Sequence, residues 1–516
     1  MRGKALRLHG DNRPGLSVPQ SITWPDWMER ISPAALAAFV VPFAIYVASL
    51  PKGVAYWDTA EMQTVPYILG ISHPTGFPTF IFTGWFVSHI LPFGSVAWRI
   101  NVMSAAAMAL AAYFVYRTVV ELDGKGSLGA LCAILFAVGD VTWTRGSRTE
   151  VHAFALLFEA VTIYLVLRWR RSGEERALLG AALAYGCALA THGIVVLIAP
   201  GIALLLFPRI LRVPRKTLLH AAGHVVFPNL LYLYLPIRSN YVTAHGLDPT
   251  VAILGLEPGR PFWDFGHPAT PAGLWHYLTG GDASPVAAGF ASALNPLLYP
   301  QVIVRFAANA AHEFGAIALV LAILGIALLA KTNWYMALGL VVVGLPCIPY
   351  GLLYLEADPD RYLLTAYWLI AVFVALGISR ALTLYLERTD LLVEGLGVAI
   401  ALGLAAGIFW SNLRDFGQRN DNSPTDFVDK VVLRTPSNAI LVANWAYATP
   451  LGYAAYVERR LDDRIVVTAF SGQFASYYRK WIKQRPIYMV NQTYDGAGFR
   501  EQTISNDPLL VQLLPK

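Results

Sequence analysis

Two carboxylates stand three residues apart in the segment Trp57-Asp58-Thr59-Ala60-Glu61. If Asp58 opens a helix, Glu61 lies one turn on and on the same face. A pair so placed can act as a general base with a second acid to bind or orient a substrate. The same pair also reads as a helix cap with a first-turn acid, which stabilises without doing chemistry. Downstream comes Gly70-Ile71-Ser72-His73-Pro74-Thr75-Gly76-Phe77-Pro78, a run of turn residues around a histidine. Arg145, Arg148, Glu150 and His152 cluster at another helix mouth, where the arginines call for an anion or a carboxylate. The alternative there is a surface Arg148–Glu150 pair. Arg238, in Pro236-Ile237-Arg238-Ser239, offers a forked guanidinium to a lipid phosphate, or else a simple headgroup anchor. Asp358, Asp360 and Arg361 form a further cluster, which also reads as a solvated turn with an Arg–Asp pair. His192 reads as an interfacial packing residue. Glu159 falls in an apolar run, where a carboxylate needs a buried partner.

Composition says what kind of scaffold positions these groups. Of 516 residues, 56% are hydrophobic and 14% charged, with a mean hydropathy of +0.49. Soluble proteins average about 25% charged residues. This balance excludes a soluble enzyme, a disordered regulator and a nucleic-acid module, and it predicts a multi-pass α-helical membrane protein. The net charge of +6 matters chiefly for where it falls along the chain. Cys132, Cys187 and Cys347 all lie in apolar runs without CxxC spacing, which argues against a disulfide framework or a zinc site. No GxxxxGK[ST] loop is present, so nucleotide hydrolysis is not the energy source. The polar, basic stretch from Met1 to Arg30 has no apolar h-region and is not a cleavable signal peptide. The following run, Pro33 to Leu50, would serve as an uncleaved signal anchor.

A span needs about 20 mainly apolar residues. Eleven runs of roughly that length are present: 33–50, 99–119, 127–143, 150–168, 176–192, 194–208, 217–236, 312–330, 334–355, 361–380 and 393–411. The short segment 77–91, bracketed by Pro78 and Pro92, reads as an interfacial or re-entrant helix. With eleven spans and a cytoplasmic N-terminal segment (1–32), the dense basic clusters fall on one side. Among them are Arg168–Arg171 and Arg209–Lys216. Outer loops 51–98 and 237–311 then carry the candidate groups, within a membrane region of 33–411. The tail, 412–516, alternates β-type runs (Ala439–Ala443, Ile465–Phe470, Ile487–Val490) with helix-compatible stretches, which predicts a small extracytoplasmic α/β domain.

Several motifs occur in order: Trp57-Asp58-x-x-Glu61, Leu69-Gly70-Ile71-x-His73-Pro74-x-Gly76-x-Pro78 and Ala97-x-Arg99-x-Asn101-x-Met103-Ser104-Ala105. Arg148-x-Glu150-Val151, Leu235-Pro236-x-Arg238-Ser239 and His276-Tyr277-x-Thr279-Gly280-Gly281 follow. Together they resemble the protein O-mannosyltransferase-like membrane glycosyltransferases of the GT-C superfamily, in the branch long catalogued as a domain of unknown function. The resemblance covers about Pro33 to Arg380. It departs at Thr75, where the family has a second proline, and at Phe77 and His152, where it has tyrosines. These differences bear on the shape of the sugar pocket. The resemblance implies a GT-C fold and an inverting transfer of a sugar, mannose by first expectation, from a polyprenyl-phosphate carrier. The acceptor hydroxyl would be on protein serine or threonine, or on a lipid or glycan.

The resemblance further implies that Asp58 is the catalytic acid of the first outer loop, and Glu61, its partner in the pair, is the second catalytic candidate. A hydroxyl is too weak an acid to ionise freely and must pass its proton to a carboxylate as the new bond forms. A nearby arginine would meet the charge on the leaving phosphate. His73, Arg148, Glu150, Arg238 and Arg361 are the candidate donor- or phosphate-binding residues. No metal or cofactor beyond the polyprenyl-phosphate sugar is expected. The expected partners are the lipid-linked donor, a protein or glycan acceptor and membrane lipids, with no nucleic acid. The expected place is a bacterial inner membrane or its equivalent, with the site on the extracytoplasmic side. A transporter or flippase of lipid-linked sugar would need repeated halves and midplane polar sites, and neither is visible. A non-catalytic scaffold would tolerate loss of both first-loop acids.

Overall fold

The structure, a computed structural model, describes residues 32–279, 289, 291–354, 359–386, 391–413, 419–494 and 496–516. Residues 1–31, Gly280, Gly281 and Asp358, named in the sequence analysis, lie outside the described residues.

Apolar helices make up most of the chain. Their starts follow from capping chemistry. Ser32 caps Pro33–Ser49, its Oγ accepting from Ala35 N at 3.1 Å. Ser95 does the same for Val96–Glu121, accepting from Trp98 N at 3.1 Å. Glu150 caps Val151–Ser172, which ends at Gly173 in the left-handed conformation.

Among the described residues, six helices are long and apolar enough to cross a membrane: Val96–Glu121, Val151–Ser172, Arg215–His245, Ala316–Leu353, Pro359–Leu384 and Glu394–Asn412. The pair Gly126–Ala137 and Asp140–Gly146, bent by 77°, makes a seventh if taken as one span. Pro33–Ser49 and Gly193–Leu206 are apolar but shorter. Length and composition therefore support six or seven crossings, fewer than the eleven runs in the sequence. Part of the difference lies at Asn333, whose extended backbone (φ −152°, ψ 80°) breaks the long helix in two. The segment 77–91 forms a 13-residue helix, Pro78–Ile90, which is too short to span.

The helices pack through small residues and large aromatics. Trp368 and Tyr367 are fully buried at the centre of the bundle, and the Trp368 indole donates to the Ala111 carbonyl at 2.8 Å. Gly325 lies against the Phe373 carbonyl and Gly377 against the Leu321 carbonyl, so a methyl at either position would collide with backbone. Such close crossings suit a lipid environment, where packing rather than water exclusion joins helices.

The two ends of the bundle carry different groups. At one end Arg171 bonds the Glu121 carbonyl (3.2 Å) and Asp123 (3.2 Å), Arg380 bonds the Leu122 carbonyl (3.2 Å), and Lys125 pairs with Glu394 (3.9 Å). At the other end lie Trp57–Ile68, Pro78–Ile90, the mouth at Glu150 and the start of Pro359–Leu363.

A C-terminal α/β unit sits on this second end. Strands β1 (Ile440–Ala443), β2 (Ile465–Thr468), β3 (Ile487–Val490), β4 (Phe499–Asn506) and β5 (Leu509–Pro515) form one sheet in the order β2-β1-β3-β5-β4. The β1 strand runs parallel to both β2 and β3, with Leu441 opposite Val466 and Tyr488. The β5 strand is antiparallel to β3 and β4. The three buried strands are the expected β-type runs. The hairpin β4–β5 was not expected, because β4 faces solvent along much of its length and carries charged and polar residues.

Candidate active site

The Trp57–Ile68 helix carries both first-loop acids. Its position is fixed from several sides. Asn101 Oδ1 accepts from Gln63 Nε2 (3.0 Å), Thr149 N (2.9 Å) and Thr149 Oγ1 (2.7 Å). Asn101 Nδ2 donates to the Pro51 carbonyl at 3.2 Å. One fully buried amide thus joins this helix, Val96–Glu121 and the loop before Glu150. The following turn is clamped by Tyr234, near the end of the 217–236 run, and by the second long loop. Tyr234 donates to the carbonyls of Leu69 and Gly70, Tyr277 donates to the Ser72 carbonyl, and Ile71 N donates to the Trp263 carbonyl at 3.3 Å. Gly70 is required here, since a Cβ would fall onto the Phe262 carbonyl.

Glu61 is fully buried, and its partner is close in sequence. It accepts from His73 N at 2.8 Å and from His73 Nδ1. Burial pushes the Glu61 carboxyl up despite the opposing His73 charge. For His73, burial acts against the cation, but the Glu61 charge and hydrogen bond win and raise it to about 9.

Asp58 differs. Its side chain is 37% exposed. Oδ2 accepts from Arg361 at 3.3 Å, and Oδ1 accepts from the Trp445 indole at 2.8 Å. Burial resists ionisation, yet His73, Arg361 and the Trp445 N–H outweigh it and hold the carboxyl below its ordinary value. Asp58 is therefore an anion at neutral pH, open to a proton donor.

Glu150 lies at the next helix mouth. It accepts from Arg145 (3.4 Å), His152 N (3.2 Å) and His152 Nδ1 (2.9 Å), while its own N–H donates to Ser104 Oγ (3.0 Å). Burial alone would raise its carboxyl. The His152 hydrogen bond and charge, then Arg361 and Arg148, pull it down to about 2.

A chain of rings joins the two acids. His73 meets Phe77 (5.0 Å between centroids), Phe77 stacks on His192 (5.2 Å), His192 meets His152 (4.5 Å), and His152 meets Tyr362 (5.0 Å). Tyr362 follows Arg361 directly, which brings the wall back to Asp58.

Asp58, Glu61, His73, Arg148, Glu150 and Arg361 therefore gather around one end of the bundle. Arg238 is placed otherwise. It donates to the Ile68 carbonyl at 3.0 Å and lies over the rings of Tyr241 (5.2 Å) and Trp263 (5.9 Å). It caps the helix that bears the acids, and Arg361 is the guanidinium on Asp58. Glu159 has the buried partner its position demands, Thr365. Sequence reasoning missed Trp445, which no local pattern marks. It also missed Asn101 as a joint, although its motif was in view. Trp445 opens the helix Trp445–Tyr456 of the α/β unit. That helix seats Tyr453, which accepts from Ala97 N at 3.0 Å, and Gly452, which lies against the Phe262 ring.

Residues 58–214 match the family model of the protein O-mannosyl-transferase TMEM260 N-terminal domain. Protein O-mannosyl-transferase TMEM260 of Mus musculus is 27% identical over 516 residues, covering 93% of this chain and 68% of that protein. The Dictyostelium discoideum protein O-mannosyl-transferase tmem260 is 31% identical over 135 residues, 26% of this chain and 16% of that protein. Among solved structures, the Archaeoglobus fulgidus oligosaccharyltransferase in complex with Zn and sulfate superposes with a TM-score of 0.52 at 13% identity, covering 88% of this chain and 68% of that one. ArnT from Cupriavidus metallidurans bound to undecaprenyl phosphate gives a TM-score of 0.52 at 10% identity, covering 93% and 97%. The chain is an integral membrane protein that shares the GT-C fold of these structures, and in sequence it is similar to the protein O-mannosyl-transferases.

Proposed function

We propose that the protein transfers mannose from a polyprenyl-phosphate carrier to a serine or threonine hydroxyl of a protein acceptor. Glycosyl transfer is the activity of the named relatives. A bound undecaprenyl phosphate is described for the ArnT neighbour. The observation that carries the reading is Asp58, an ionised and half-open carboxylate held between Arg361 and Trp445.

The acceptor hydroxyl gives its proton to Asp58 as its oxygen attacks the anomeric carbon, and the bond to the carrier phosphate breaks on the opposite face, inverting that centre. The Arg361 guanidinium meets the charge that develops on the leaving phosphate. Arg148, near Glu150, adds positive potential to the same end. Glu61 and His73 hold the first loop in shape, and Arg238 fixes the end of the acid-bearing helix.

Eleven crossings with the site on the extracytoplasmic side complete the reading. The break at Asn333 and the gathering of the basic clusters at the opposite end support it. A cysteine introduced at the exposed Ser437 should react with an impermeant reagent in intact cells; reaction only after membrane rupture would overturn the orientation. The test of activity is purified protein with radiolabelled polyprenyl-phosphate mannose and a Ser/Thr-rich peptide. Label should pass to the peptide, and consumption of no polyprenyl-phosphate sugar would defeat the reading.

A further inference from the structure

His152 is the second residue of the Val151–Ser172 helix, only 8% exposed. Its ring is locked. Nδ1 faces Glu150 Oε1 at 2.9 Å, and an anionic carboxylate only accepts, so the proton sits on Nδ1. Arg145 and the Ser104 hydroxyl hold the Glu150 mouth in turn. Nε2 points away from Glu150, is buried, and has no hydrogen-bond partner. A buried polar atom left open on a fixed ring calls for an explanation, and a donor group arriving with a ligand is one.

Its neighbours suggest which ligand. The ring lies between His192 and Tyr362, with centroids at 4.5 and 5.0 Å. Phe77 stacks on the far side of His192. Tyr362 follows Arg361, whose guanidinium holds Asp58. Under the glycosyl-transfer reading, on which this inference rests, the donor sugar binds at the end of the bundle where Arg361 holds Asp58. Tyr362, next to Arg361 in the chain, meets the His152 ring at that end. A pyranose presents hydroxyl donors at its rim and C–H groups on its faces, which suits one open acceptor set in an aromatic wall.

We propose that His152 reads the donor sugar, its open Nε2 accepting a hydrogen bond from one ring hydroxyl and thereby selecting which sugar is transferred. A site built to bond a hydroxyl discriminates strongly against a donor that lacks it, because the buried acceptor is then left unpaired. The histidine supplies binding and selection and takes no part in the proton transfer at Asp58.

The experiment uses the full-length protein with polyprenyl-phosphate mannose and its four monodeoxy analogues. In the wild type, one deoxy donor should be used about 100-fold less well by kcat/KM than the parent. In His152→Phe the parent should fall to about the level of that deoxy donor, which itself stays near its wild-type rate. His152→Gln keeps an acceptor and should restore part of the discrimination. Equal use of all deoxy donors by the wild type would overturn the proposal without any variant. So would a uniform drop across all donors in both variants, the mark of a merely structural residue. Failure of the wild type on every donor would instead remove the glycosyl-transfer reading, and this inference with it.

Discussion

Asp58 and Glu61 sit one turn apart on one helix, yet they live in different regions. Glu61 finds its partner 12 residues away, inside its own loop. Asp58 finds its partners 303 and 387 residues away, on the Arg361 segment and on the C-terminal α/β unit. The first region is local, buried and self-satisfied. The second is assembled from three distant parts of the chain around a carboxylate left open to solvent. The difference teaches that acid type and spacing did not separate the roles. On the proposed reading, Glu61, whose hydrogen bonds close within its own loop, holds that loop in shape. A carboxylate whose partners come from afar, and which stays reachable, is available to a substrate.

The sharpest way to break the comparison is Asp58→Asn, which keeps the shape and removes the proton acceptor. Transfer should fall about 100-fold or more, measured as label passed to the peptide, with thermal stability little changed. Glu61→Gln should do the reverse, lowering stability more than the rate of the folded protein. If the two variants exchange these phenotypes, the roles are exchanged.

Next come the arginines. Arg361→Lys keeps the charge but loses the fork, and should weaken donor use about 10-fold. Arg238→Lys should leave the donor titration close to wild type and show itself in the melting temperature, since Arg238 serves the Ile68 carbonyl. A donor defect in Arg238→Lys equal to that in Arg361→Lys would put Arg238 back in the site.

A smaller effect is expected at Trp445→Phe, which keeps the ring and deletes the N–H. Loss of one hydrogen bond to a charged group predicts a fall of about 10-fold or less in kcat, with donor KM unchanged. That bond lowers the Asp58 carboxyl. Without it, Asp58 protonates at higher pH, and the acid limb of the rate profile should move upward. An unmoved limb would make Trp445 a packing residue.

The gentlest probe is pH itself. His73 rises from 6.5 to about 9 on folding. A raised value means stability fully present below about 6.5 and lost as pH climbs through about 9. Thermal unfolding in detergent should show this alkaline decline, and Glu61→Gln should flatten it. A decline of equal size in the variant would place its source elsewhere.

The sequence made the helical membrane class and the small C-terminal sheet readable, because a span must be an apolar run and a buried strand leaves its own hydrophobic pattern. The acids at Asp58 and Glu61, the histidine at 73 and the mouth at Glu150 were likewise visible, since each stands in a motif dense in turn and charged residues. Three things were hidden. The choice between Arg238 and Arg361 depends on which helix end lies over which acid, and that is a matter of three-dimensional packing. Trp445 carries no local signal at all; an indole at a helix start is ordinary until its N–H is found on Asp58. The β4–β5 hairpin escaped notice because its outer strand is polar, and the hydrophobic pattern that betrays a buried strand is missing from it.

The long reach of the Asp58–Trp445 hydrogen bond has a consequence in time. Asp58 is synthesised early and Trp445 late, 387 residues apart. At about 5–20 residues per second, the carboxylate waits on the order of 20–80 s for its last partner. Throughout that interval the membrane helices can insert while the acid lacks its indole clamp. On the proposed mechanism, synthesis and folding of the α/β unit that carries Trp445 is what completes the Asp58 site. A translation pause or a truncation before Trp445 would leave an inserted protein whose helices are in place and whose Asp58 is still unclamped.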